Sequence, residues 1–185
     1  MKGNVSSQSV AILDACVLIN ILASGRAQEI LTGSEYSFGI CTVVSKESIY
    51  LRAADPNAPR DNVELDPFVN SKCLTVYGLS GNKEKELYVD YAADLDDGEA
   101  MTLALAFSRE FAVATDDRKA RRIFLEDTGD VTRLLSTPQI LKRWSPRAGL
   151  TARELKKLLL DVSRRGRFSP NSGDPDFSWW SKAVL

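Results

Sequence analysis

Short apolar runs recur along the chain, and an acidic residue follows several of them at once. Val10-Ala-Ile-Leu13 reads as a buried strand; Asp14 comes directly after it and leads into the apolar, helix-like stretch 15–23. Residues 37–44, SFGICTVV, mix aromatic, β-branched and small residues as a second strand would, and Ser45 is placed to cap a helix running through Glu47, Ile49 and Leu51 toward Ala54. Pro56 and Pro59 break the pattern over 55–60, a short helix is expected within 61–71, and Cys73–Tyr77 reads as a third strand. Residues 83–93 read as a helix. Asp94-Leu-Asp-Asp-Gly-Glu99 then opens another, over 100–108, that is apolar nearly all round and so must be buried. Phe111–Ala114 is a fourth strand ending at Thr115-Asp116-Asp117, and a helix over 118–126 turns Ile123 and Phe124 inward.

Beyond these, residues 131–135 suggest a fifth strand and 138–144 a short helix that stops before Ser145-Pro146. Thr151-Ala-Arg-Glu154 has capping-box spacing and starts a helix that runs through Leu158 and Val162 and ends near Gly166. The tail from Phe168 carries no readable period. Strands alternating with helices predict an α/β fold, a single α/β/α sandwich around a parallel sheet of four to five strands. With 185 residues, the expected organisation is one domain: a core over about 8–135, a basic helical extension over 136–167 and an irregular tail over 168–185.

Composition narrows the chemistry. There is no histidine, which removes Ser-His-Asp and Cys-His catalysis, histidine general bases and the usual zinc sites. Cys16, Cys41 and Cys73 are odd in number, lack CxxC spacing and read as reduced core thiols. A polar opening MKGNVSSQS and the early Asp14 predict no secretory leader, and no apolar run approaches bilayer-spanning length, so a cytosolic (cytoplasmic) protein without a membrane partner is expected. A net charge of -1 conceals a division: residues 1–117 hold 9 Lys and Arg against 18 Asp and Glu, whereas residues 118–167 hold 14 against 5. A basic segment beside an acidic body is either a solvated helical face or a surface that attracts phosphates.

In open parallel α/β sheets the ligand site lies beyond the carboxyl ends of the strands, where Asp14, Glu47, Glu99, Asp116 and Asp117 stand or begin the next helix. Each alone has a structural explanation: Asp14 and Asp117 as N-caps, Glu47 as a helix-dipole partner, Asp96 with Glu99 as a capping box. Asp14 stands apart because both of its flanks are apolar and the nearest basic residues in sequence are Lys2 and Arg26. A set of acids without histidine and without evident cationic partners suits a hard divalent cation, Mg²⁺ or Mn²⁺, and metal-dependent phosphoryl transfer to water.

The order Asp14 in LDACVLIN, Glu47 on the next helix, Glu99 in DDGEAMTLALA and TDDR at 115–118 resembles the PIN-domain ribonucleases, over roughly residues 8–135. GLTARELKKLLLDVSRRGRFS likewise resembles the C-terminal helix of the prokaryotic members. The resemblance implies an endonuclease acting on RNA, often the toxin of a toxin–antitoxin pair, with an antitoxin protein as possible partner and homodimers as the usual state. It assigns Asp14, Glu47 and Glu99 as metal ligands and catalytic acids, with Asp116 or Asp117 as the fourth. The family's Thr-x-Asp pattern favours Asp117, puts Thr115 behind the metal or on a phosphate, and leaves Asp116 to support the site or share the ion. One departure is Glu99, where many members have Asp; Asp97 is a candidate to compensate, although N-capping is the role expected of it.

Arg118, Arg121 and Arg122 follow the acid pair at i, i+3, i+4 spacing and are placed to contact substrate phosphates or neutralise the pocket. A haloacid-dehalogenase-type phosphatase would need a second Asp where Cys16 stands, and a receiver-like domain would need a late strand-end Lys. A metal-free PIN-like module that binds RNA or protein through the basic segment, and a helix-turn-helix over 136–165, are the non-enzymatic alternatives.

Overall fold

A computed structural model describes residues 9–47, 49–53 and 59–185. Its centre is a five-stranded parallel sheet built from β1 (Ser9–Leu13), β2 (Tyr36–Cys41), β5 (Thr75–Tyr77), β6 (Ala112–Ala114) and β7 (Leu134–Leu135), in the order β5-β2-β1-β6-β7. Every pairing in it is parallel, with Ala11 opposite Phe38 on one side of β1 and opposite Ala112 on the other. A parallel sheet needs both faces covered, and helices flank this one as an α/β/α sandwich. The chain passes outward from β1 through β2 to β5, then crosses back to β6 on the other flank. That reversal leaves a crevice beyond the carboxyl ends of β1 and β6, where the ligand site of an open α/β sheet forms.

The helices follow from their apolar stripes and caps. Helix α1 (Ala15–Ala23) is capped by Asp14, and α2 (Ala27–Gly33) follows it. Helix α4 (Gly81–Ala92) precedes α5 (Asp97–Ser108), whose residues 100–106 are all buried, as an element apolar all round must be. Helix α6 (Arg118–Thr128) buries Phe124 completely and ends on Gly129 in the left-handed conformation that favours glycine. Helices α7 (Thr137–Arg147) and α8 (Ala152–Asp161) both begin with complete capping boxes, Ser136 with Gln139 and Thr151 with Glu154.

Ile140, Leu141, Trp144, Leu158 and Leu159 from these two helices share one core with β1, β2 and α1. The basic extension is therefore built into the fold. A second core holds Leu103, Val113, Ala120 and Phe124.

Several expectations are corrected. Residues after Ser45 do not form a helix: a single 3₁₀ turn, Val44–Lys46, is followed by β3 (Ile49–Leu51), which pairs antiparallel with β4 (Asp61–Val63). Ser45 donates its hydroxyl back to the Thr42 carbonyl, and Ile49 and Leu51 are buried with Tyr50 exposed between them, the alternation of a strand. Ala54 and most of the Pro56 breaker lie outside the described residues. The helix expected within 61–71 is shorter, α3 (Asp66–Asn70), and the fifth strand shrinks to Leu134–Leu135 behind a 3₁₀ turn at Val131–Arg133.

Helix α7 does not stop before Ser145-Pro146 but runs through Pro146 to Arg147. Helix α8 passes into a turn of π-helix over Val162–Gly166, and the tail carries α9 (Phe177–Val184), which buries Trp180 against α7 and α8. Among the described residues no helix is long and apolar enough to cross a membrane.

Candidate active site

Asp14 is the pivot of the crevice. Its backbone N–H continues the β1–β6 ladder to the Ala114 carbonyl at 2.9 Å, which fixes the residue where β1 ends and α1 begins. Oδ1 accepts from Ala15 N at 2.7 Å; Oδ2 accepts from the Thr115 hydroxyl at 2.9 Å and from the Cys16 thiol at 3.0 Å. The residue is only 4% exposed, and burial pushes its carboxyl above the ordinary range although all three donors work in the other direction. Thr115 is fully buried, and its hydroxyl also accepts from Asp117 N at 3.1 Å. Its oxygen is thus a bridge between the two acid-bearing loops, not a phosphate contact as the resemblance implied.

The TDD sequence splits. Asp116 turns back into the fold: Oδ1 accepts from Thr137 N at 2.9 Å, and Oδ2 accepts from the Thr137 hydroxyl at 2.6 Å and from Asn20 Nδ2 at 3.0 Å. It ties α1 to the start of α7 and does not share the pocket, correcting its assignment as a metal-sharing acid. Asp117 caps α6, with Oδ1 accepting from Lys119 N and Ala120 N, each at 2.8 Å; among the described residues no hydrogen bond occupies Oδ2.

Glu47 reaches the site from the loop before β3, not from a helix. Its carboxylate lies against the first turn of α5, where a Cβ built on Gly98 would stand 2.9 Å from Oε1, so the close approach depends on glycine. Asp96 is the N-cap of that helix and Glu99 its N3 partner: Glu99 N donates to Asp96 Oδ1 at 2.8 Å, and Asp96 N donates to Glu99 Oε2 at 3.4 Å. Asp97 is not the cap but the first helical residue, accepting from the Tyr88 hydroxyl at 2.9 Å.

These side chains feel one another. Glu47 is pushed up by burial and by the charges of Asp96 and Asp14. Glu99 is pushed up to about 7 by burial, then by Asp96, Asp14 and Asp117. Asp96, read from sequence as a cap alone, is therefore a member of the pocket. The signal was present in the density of acids over 94–99, but the local capping box accounted for it fully. Among the described residues none of Asp14, Glu47, Asp96, Glu99 or Asp117 has a salt bridge.

Cys16 is the neighbour the sequence reading missed. Besides donating to Asp14, its sulfur accepts from Asp116 N at 3.4 Å, and burial together with the Asp14 and Asp116 charges drives its thiol strongly upward, keeping it protonated as a donor. Of the three arginines expected to face substrate, Arg121 is half-buried and donates through Nη1 to the Thr115 and Leu135 carbonyls, both at 2.8 Å, closing the ends of β6 and β7. Arg122 pairs on the surface with Glu126 at 2.9 Å. Arg118 is exposed and, among the described residues, unpaired. The three do not form one face.

The donor set is hard oxygen throughout and carries uncompensated negative charge, which suits Mg²⁺ or Mn²⁺ and not a soft metal. Among the described residues no three Asp, Glu or Cys side chains stand close enough together to hold one ion directly. Mg²⁺ usually retains several waters and takes only one or two protein carboxylates, so these residues fit a hydrated cation whose outer waters meet the remaining acids. No family model, curated protein or solved structure matches the chain.

Proposed function

We propose that the protein is a divalent-metal-dependent endoribonuclease of PIN type. The observation that carries the reading is the gathering of Asp14, Glu47, Asp96, Glu99 and Asp117 at the sheet's switch point with no cationic partner among the described residues. Such a group repels itself unless a cation joins it. Asp14, Glu47, Glu99 and Asp117 would hold the ion, with Asp96 adding charge from behind. A bound Mg²⁺ or Mn²⁺ supplies an acidified water and stabilises charge on phosphoryl oxygens.

The chain's own residues supply the orientation. Thr115, Cys16 and the Ala15 N–H hold Asp14 in one rotamer, the Thr115 hydroxyl couples it to Asp117, and Gly98 admits Glu47 to the same opening. Glu99, poised near neutrality without a cation, is also suited to accept or deliver a proton at its Oε atoms.

The test is cleavage of an end-labelled single-stranded RNA with Mn²⁺, for the wild type, for Asp14→Asn and with excess EDTA. Asparagine keeps the N-cap of α1 while removing the charge. The expected result is internal cleavage by the wild type alone in the presence of metal. Cleavage that survives EDTA or Asp14→Asn, or a wild type that does not cut, refutes the reading.

A further inference from the structure

A cavity of about 170 Å³ opens on the other side of the β6–α6 loop, lined by Arg118 and Arg121 from α6, Ser136 before α7, and Phe168, Asn171 and Asp174 from the tail. It is separate from the acid pocket: Asp117 faces the acids, and Arg118, the next residue, faces the cavity. Two guanidinium groups line it, and neither has a carboxylate within ion-pair distance among the described residues.

The acids present do not fill that need. Both oxygens of Asp116 are occupied by Thr137 and Asn20, and Asp174 Oδ1 accepts from Asp176 N at 2.7 Å. Arg121 uses only Nη1 toward the protein, leaving Nη2 and Nε without a hydrogen bond among the described residues. A half-buried guanidinium with donors to spare selects a planar or tetrahedral oxyanion. Phe168 and buried Pro170 add an apolar wall beside these donors, with Phe168 fixed edge-on against Trp180 at 5.8 Å. Oxyanion donors next to an aromatic wall are what a nucleotide in an unpaired strand requires, its phosphate on the arginines and its sugar or base on the ring.

We infer that this cavity holds a nucleotide of single-stranded RNA adjacent to the bond presented to the acid pocket, with Arg118 and Arg121 on its phosphate and Phe168 against its sugar or base. The inference rests on the nuclease reading for the neighbouring bond, but the cavity's affinity for the strand does not depend on cleavage. Consecutive residues, Asp117 and Arg118, divide the two sites, so one strand crossing the loop meets both.

The experiment is fluorescence anisotropy with a labelled ten-nucleotide single-stranded RNA, in EDTA so that cutting does not interfere. The wild type is compared with Arg118→Gln, Arg122→Gln and Asp14→Asn, with inorganic phosphate as competitor and the same sequence as a duplex. Arg118 and Arg122 are exposed, so both substitutions leave the fold intact and remove the same charge.

The cavity predicts about a tenfold loss for Arg118→Gln, a loss under about twofold for Arg122→Gln, no loss for Asp14→Asn, and weaker duplex binding. Equal losses for both arginines reveal a diffuse electrostatic surface and overturn the inference, as does full binding by Arg118→Gln or no binding by the wild type. Competition by millimolar phosphate that leaves the strand no tighter than phosphate alone identifies a free-anion site and also overturns it. Binding with these ratios but without Mn²⁺-dependent cleavage keeps the cavity and removes the nuclease; cleavage without them does the reverse.

Discussion

Replacing Glu99 with glutamine should stabilise the metal-free protein at neutral and alkaline pH. The carboxyl moves from an ordinary 4.5 to about 7 because burial and the charges of Asp96, Asp14 and Asp117 oppose its ionisation. A folded-state pKa above the unfolded one means that the native state binds more protons between those values. Its contribution therefore falls as pH rises from about 4.5 to about 7 and is flat beyond. Taken in full, that displacement is worth about 3 kcal/mol. Glu99 is only half-buried, and solvent screening reduces the figure to about 1 to 2 kcal/mol.

Glutamine mimics the protonated acid and preserves the capping box, since Gln serves at N3 as Glu does. Thermal unfolding in EDTA should give Glu99→Gln a Tm higher by about 3 to 6 °C at pH 8, with the gap closing below pH 5. A variant no more stable than wild type at pH 8, or a gap that persists unchanged at pH 4.5, would refute the argument that the acids strain one another.

Millimolar Mn²⁺ should raise the wild-type Tm at pH 8, by the equivalent of about 1.4 kcal/mol when the ion is at ten times its Kd, and should raise that of Asp14→Asn much less; an unchanged wild-type melting curve counts against a cation site. Asn20→Ala removes a buried donor to Asp116 and Thr137 and should cost about 2 to 3 kcal/mol in urea unfolding at pH 8, with a smaller loss at acid pH where Asp116 is protonated. In Gly166→Ala the new Cβ would meet Asn20 Oδ1 at 2.7 Å and Ala23 Cβ at 3.2 Å, so a loss of about 1 to 3 kcal/mol is expected by the same measurement. Cys16 should resist iodoacetamide at pH 8 in the native state and react on unfolding; rapid native labelling, read by peptide mass, would contradict a protonated thiol donating to Asp14.

What the sequence disclosed was local, and what it concealed depends on distant partners. Strand, acid and helix lie within ten residues at Asp14, and within a similar span at Thr115–Asp117, so the switch-point acids could be read directly. The choice between Asp116 and Asp117 as the inward acid correctly favoured Asp117, yet its cause was invisible: Asp116 turns away because Asn20 and Thr137, 96 and 21 residues distant, supply its donors. Glu47 was placed on a helix because Ser45 and the apolar spacing after it satisfy a helical template. The decision for a strand comes from β4, whose pairing with β3 no short window contains. Asp96 shows the opposite failure, in which a complete local explanation, the capping box, hid a second role that exists only once Asp14 and Glu47 arrive from other elements.

The division of charge along the chain has the same lesson in its strongest form. Fourteen basic residues over 118–167 invited a nucleic-acid-binding face. In the fold much of that charge faces the acidic body instead. Arg143 and Arg147 both meet Glu35, Arg165 meets Asp61, and Arg26 reaches forward to Glu154. Arg121 and Arg133 turn inward to carbonyls at the strand ends. The asymmetry thus reflects two halves of one sandwich that neutralise each other on contact, each exposed pair adding little by itself. The same accounting isolates the exceptions. Five acids at the switch point and the Arg118 and Arg121 pair across the β6–α6 loop are left without such partners. Where the rest of the surface is matched, these two unmatched groups, one on each side of a single loop, are where an external cation and an external phosphate have something to gain.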